Sequence, residues 1–143
     1  MAALARISRD DQRVRDAAAT LIRGVQEKDW RGEILAIFYF VRDRIRYQLD
    51  PYDTELLQSG FVTLRLGYGD CDDKCILLAA MLESVGHPCQ FAAIGFELQE
   101  GYSHVVTEVS GAGETPWITL DATEKKPPGW YPPRATWILR CPV

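Results

Sequence analysis

Gly67-Tyr68-Gly69-Asp70-Cys71-Asp72-Asp73-Lys74 opens a run from Cys75 to Val85 that Gly86 and Pro88 close. From Cys71 onward strong helix formers predominate, and after Lys74 apolar side chains fall on nearly every side of the helix they build. A helix apolar all round belongs at the centre of a domain; Gly86 supplies its stop and Pro88 bars its continuation. A cysteine thus stands where a glycine-rich loop enters a central helix. It faces N–H groups that lack helical partners and the positive end of the dipole, both of which favour thiolate. The same N–H groups suit an oxyanion. Against this, Asp70, Asp72 and Asp73 raise the pKa of a nearby thiol. A dipole contribution of about 0.3 to 1 kcal/mol is small beside three carboxylates, so activation calls for an imidazole partner.

The chain holds two histidines. His87 lies in the turn leaving the central helix, about 24 Å from Cys71 at 1.5 Å per residue, and is excluded as the base. His104 lies in a strand, sharing one face with Tyr102, Val106 and Glu108, while Ser103, Val105, Thr107 and Val109 form the core-facing side. If Gly111-Ala112-Gly113-Glu114 is a symmetric hairpin turn, His104 stands directly opposite Asp121. A carboxylate there holds the imidazole in its working tautomer. Cys71, His104 and Asp121 are the candidate nucleophile, base and orienting acid.

Working outward, Ser8 is the expected cap of a first helix with Val14, Ala17, Ala18, Leu21, Ile22 and Val25 on one face. A second helix follows Asp29, with Ile34, Ile37, Phe38, Val41 and Ile45 as its stripe, before Pro51. Residues 48–70 read as a long loop. After the central helix, strands are expected at 90–96, 102–110, 117–121 and 136–140. Helices first and a meander of strands afterwards indicate an α+β domain, an antiparallel sheet laid on a central helix. No repeat or linker divides residues 1–143, so one domain is expected.

At 143 residues, folding buries about two-thirds of the unfolded surface, and no disulfide or structural metal is required. The composition, 47% hydrophobic and 25% charged, is ordinary for a globular chain. A net charge of −4 argues against a nucleic-acid binder, and Arg42, Arg44 and Arg46 read as a solvated helix end. No apolar run has the length of a membrane span and the N-terminus lacks a signal core, so a cytoplasmic protein without membrane contact is expected.

G-D-C-D-D-K at 69–74, S-H-V-V at 103–106 and W-I-T-L-D-A-T at 117–123 together resemble the transglutaminase-like superfamily. The Val41-Arg-Asp-Arg-Ile-Arg-Tyr47 helix end resembles its bacterial members. The resemblance covers roughly residues 30–125. It implies a papain-like α+β core, with Cys71 as nucleophile, His104 as general base and acid, and Asp121 as orienting carboxylate. A chain this short is similar to minimal bacterial or phage-borne forms rather than to the large cross-linking enzymes. The implied chemistry is acyl transfer from a peptide or carboxamide through a thioester, with hydrolysis favoured over cross-linking and an idle peptide-binding module as the rival. A protein or peptide is the expected partner. No cofactor is implied.

The family pattern calls for a second oxyanion donor, and Tyr47 and Tyr68 are the candidates. Val105 and Val106 depart from it, since many relatives carry an aromatic residue there. Cys71, Cys75, His87 and Cys89 carry zinc-type ligand atoms, but the helix separates the first pair from the second, and zinc is set aside. Asp70 and Asp72 are read as helix cap and dipole partner, with calcium as the alternative the resemblance raises. Lys126–Arg134, with its prolines around Gly129-Trp130-Tyr131, is either an aromatic wall beside the cleft or a surface turn.

Overall fold

The computed structural model describes residues 1–50, 56–96, 101–113 and 115–143. Helices α1 (Ala2–Asp10), α2 (Gln12–Ile22) and α3 (Trp30–Arg44) precede strand β1 (Arg46–Tyr47), helix α4 (Gly60–Leu66) and strand β2 (Tyr68–Gly69). Helix α5 (Cys71–Ser84) follows, then strands β3 (Cys89–Gly95), β4 (His104–Val109), β5 (Ile118–Leu120) and β6 (Trp137–Pro142). The last four form an antiparallel sheet ordered β5-β4-β3-β6, and β1 pairs with β2 in parallel. This is the α+β architecture expected from the sequence.

Helix α5 is buried from Asp73 to Leu82 because it is enclosed, by α1 to α4 on one side and by β3 and β4 on the other. The stripe Ile34, Ile37, Phe38 and Val41 of α3 and the pair Val14 and Ala18 of α2 join its core, as their spacing dictates. Val105 and Val109 of β4 and Phe91 of β3 face the same core. The opposite face of the sheet is covered too: Ala92, Ile94 and Val106 meet Phe96, Tyr131 and Ala135. No helix among the described residues is long and apolar enough to cross a membrane.

Three expectations are corrected. Ser8 caps nothing: it is buried inside α1, its hydroxyl donating to Leu4 O at 2.6 Å and accepting from Gly60 N at 2.8 Å. The chain breaks instead at Asp11, whose carboxylate accepts from Arg13 N and caps α2. The segment 48–70 carries α4 and β2; within it residues 51–55 lie outside the described residues. Helix α4 escapes a sequence reading because it is a short helix held by Ser8 and α5 rather than by its own periodicity.

The third correction is the hairpin. Thr107 opposes Leu120, where a symmetric four-residue turn set Ile118, so the register is displaced by two residues. Ala112 N–H donates to His87 Nδ1 at 3.0 Å with Ala112 at φ 48, while Thr115 accepts from Ser110 and from Gly111 N. These bonds widen the turn at Gly111–Gly113; Glu114 lies outside the described residues. A two-residue displacement preserves the alternation of faces, so His104 and Asp121 stay on one side.

Candidate active site

Asp70 caps α5: its Oδ1 accepts from Asp72 N at 3.0 Å and Asp73 N at 3.2 Å. That fixes the first turn and places half-buried Cys71 at its head. The N–H groups of Asp72 and Asp73 thus donate to the cap, and the N–H of Cys71 itself is not one the cap takes. Burial, followed by the charges of Asp72 and Asp70, pushes the Cys71 thiol up to about 12. Backbone N–H groups of Val105 and Asp72 pull the other way and are outweighed. The resting sulfur is a thiol, and a thiolate requires a proton acceptor.

That acceptor is positioned by β4 and the chain leaving β5. His104 Nε2 and Asp121 Oδ2 lie 2.9 Å apart, and Asp121 is buried. The other carboxylate oxygen accepts from Thr123 N at 2.9 Å and Thr123 Oγ1 at 2.7 Å. Burial alone would raise Asp121, but the hydrogen bonds from His104 and Thr123 bring it below the ordinary carboxylate range. With Nε2 held by Asp121, Nδ1 is the ring nitrogen left to exchange a proton.

Two cavities meet at Ser103 and His104. One, of about 420 Å³, is shared by Cys71 and His104. The other, of about 350 Å³, is lined by Tyr47, His104, Asp121, Glu124, Trp130 and Pro132. The proline-rich segment therefore supplies a cleft wall. Tyr47, though nearly half exposed, lines the second cavity with His104 and Asp121, and its phenol is raised by partial burial and then by the charges of Cys71, Asp70 and Asp121. Tyr68 lines neither cavity; its ring lies 5.8 Å from the Arg46 guanidinium. Of the two oxyanion candidates, the geometry retains Tyr47.

Lys74 is a residue the sequence reading passed over. Its buried ammonium donates to Ile45 O at 2.7 Å and Arg42 O at 3.3 Å, tying the C-terminus of α3 to the start of α5. The signal was a lone cation where the helix becomes apolar all round. His87 is distant from this chemistry, with Nε2 against Glu33 at 2.8 Å. Cys75 is buried, its Sγ donating to Val105 O at 3.4 Å, and Cys89 and Cys141 are strand residues.

The model of the transglutaminase-like superfamily matches residues 15–122. The chain belongs to that superfamily. Among solved structures, a candidate protease from Parabacteroides distasonis ATCC 8503 superposes with a TM-score of 0.66 at 16% identity, over 85% of this chain and 26% of that one. A candidate cysteine protease from Cytophaga hutchinsonii gives 0.59 at 22%, over 78% and 37%. Calcium-bound LapG from Legionella pneumophila gives 0.56 at 22%, over 86% and 72%. The chain therefore spans well under half of the first two. At these identities the likeness is one of fold. No curated protein sequence matches.

The calcium in that LapG structure bears on Asp70 and Asp72. Asp70 Oδ1 is spent on the helix cap, and among the described residues no three His, Cys, Asp or Glu side chains gather into a metal-sized group.

Proposed function

We propose that this protein hydrolyses peptide or carboxamide bonds through a thioester on Cys71. The observation that carries the reading is the His104–Asp121 hydrogen bond, set in a cleft that His104 shares with a cysteine at a helix start. Cys71 gives its proton to His104 Nδ1, and the sulfur attacks the carbonyl carbon. The oxyanion that forms is held by Cys71 N–H and the Tyr47 hydroxyl. His104 returns the proton to the departing amine, leaving the thioester. Water, deprotonated by the same nitrogen, attacks the thioester carbon; the C–S bond breaks, the acid is released and the Nδ1 proton returns to the Cys71 sulfur. Asp121 keeps its proton count throughout and holds the ring in place.

Hydrolysis is favoured over cross-linking because two of the solved structures that share this fold are described as candidate proteases. The test is mass spectrometry of the protein incubated with peptide mixtures, with and without a primary amine in excess. Free carboxylate products and a transient acyl adduct on Cys71 support hydrolysis. Amide products with the added amine make the protein a transglutaminase. Peptide retained without any adduct or product makes it an idle binding module.

A further inference from the structure

The chemistry proposed above specifies the bond attacked, whereas the cavity beside Cys71 bears on the residues that flank it. On the sheet face turned toward α5, Val105, Ala93 and Leu139 stand in one cross-strand row, and Phe91 and Cys141 oppose each other in the next. Val105, Ala93, Leu139 and Phe91, with Met1 and Ala2 at the start of α1, line the cavity of about 420 Å³ that also contains Cys71 and His104. Ala93 gives it depth. Its row neighbours are both larger and branched, and alanine between them leaves the space of several methylene groups. Among the described residues, Asp72 is the one acidic side chain on the wall. An apolar group entering here exchanges water for carbon contacts. A carboxylate would face Asp72 and lose its solvation, and an ammonium would be desolvated against the apolar walls.

We propose that this cavity is a substrate subsite for one apolar side chain, of leucine, methionine or phenylalanine size, flanking the carbonyl that Cys71 attacks. The substrate class is then a peptide with such a residue beside the scissile bond, in preference to an acidic or basic one. This assignment rests on Cys71 being the nucleophile of the site, but its test does not require turnover.

Chloroacetamides carrying an isobutyl, an aminobutyl or a carboxyethyl arm report on the cavity directly. The sulfur displaces chloride, and neither a leaving amine nor the acid step of His104 is involved. Rates are read at Cys71 by mass spectrometry in a Cys141→Ser background, since Cys141 lies on the same wall, and are divided by each reagent's rate with free cysteine. The isobutyl arm is expected to react about 10 to 100 times faster than the carboxyethyl arm, the range a hydrophobic pocket supplies for small changes in fit. Ala93→Leu, which fills the cavity, should erase most of that ratio. Leu139→Glu, at a residue 54% exposed and therefore safe for the fold, should turn the preference toward the aminobutyl arm. Equal corrected rates for the three arms, or a preference that neither variant moves, would overturn the assignment. Selective alkylation without turnover of any peptide would retain the subsite and refute hydrolysis; turnover with arm-blind alkylation would do the reverse.

Discussion

His104 Nε2 and Asp121 Oδ2 lie 2.9 Å apart without being cross-strand partners. The β4–β5 ladder ends at Thr107 opposite Leu120; continued by one residue it sets Asp121 across from Val106. His104 is therefore the diagonal neighbour of Asp121 on the same face, a separation that a long side chain spans.

Replacing Asp121 by Asn keeps the shape and the acceptor for Thr123 but presents the wrong group to His104 Nε2. A loss of turnover of up to about 10⁴ is expected. The pH dependence has a definite sign. The Asp121 pKa is lowered in the fold, so its contribution to stability is present above the ordinary carboxylate range and disappears as pH falls through the depressed value. The stability gap between wild type and Asp121→Asn should close in strong acid and remain open at neutral pH. Denaturant titrations at two pH values check this, and a loss of turnover below tenfold would remove Asp121 from the triad.

The Cys71 thiol, pushed up to about 12, makes reactivity depend on its partner. Iodoacetamide labelling of His104→Ala should be slow at pH 7 and rise only in alkali. Wild type should show an additional neutral limb that the substitution removes. Cys71→Ala should abolish turnover and leave the fold intact, since the side chain is half-exposed at a cavity wall. Identical labelling profiles for wild type and His104→Ala would break the pairing of these two residues.

The central helix, the α+β class and the pairing of His104 with Asp121 were legible in the sequence because each rests on a local pattern, whereas the expected meander was not found, since the last strand, β6, pairs with β3 rather than β5. Periodicity marks α5 and α3, alternation marks β4, and a count of two histidines leaves one. The direct opposition of His104 and Asp121 was inferred from a turn that is in fact wider, and the parity of strands preserved the conclusion. What escaped depends on long-range partners. Ser8 has the composition of a cap but bonds to Gly60, 52 residues away. Lys74 has the composition of a surface residue but is buried against the carbonyls of Arg42 and Ile45, and of the tyrosines on β1 and β2 it is Tyr47, not Tyr68, that lines the cavity with His104 and Asp121.

Lys74 is predicted to be a positioning residue. Lys74→Met leaves Ile45 O and Arg42 O without their donor at the point where α3 passes into β1 and Tyr47. A cost of about 1–3 kcal/mol is expected, together with a fall in kcat that exceeds any change in KM. Burial lowers the ammonium to about 8 from 10.5. The unfolded chain therefore holds more protons between those values, and this group makes stability rise with pH across that window. The difference in stability between wild type and Lys74→Met should grow from pH 8 to pH 10. A difference that stays flat would show that Lys74 is solvated.

Asp73 gives the opposite expectation, a substitution that stabilises. Its side chain is wholly buried; Oδ1 accepts from Gln58 N at 2.7 Å, while Oδ2 is buried with no hydrogen-bond partner among the described residues. Burial, with the charges of Asp70 and Asp50 adding to it, pushes the carboxyl up to about 6 from 3.8 despite the bonds from Gln58 and Asp70. A raised pKa contributes stability that is full below the unfolded value and is lost as pH rises through the folded one. At pH 7 the carboxylate is thus a charge held in the core at a cost. Asn matches its size, retains the acceptor for Gln58 N and replaces the unpartnered charged oxygen by a neutral amide. The shift corresponds to roughly 3 kcal/mol at 1.36 per unit, from which the lost interaction with the helix dipole subtracts about 0.3–1. Asp73→Asn should therefore gain about 2 kcal/mol in urea denaturation at pH 7 and nothing near pH 4, where Asp73 is protonated. A gain of equal size at pH 4 would show that shape rather than charge is responsible, and a loss at pH 7 would mean that the carboxylate has a partner in solution.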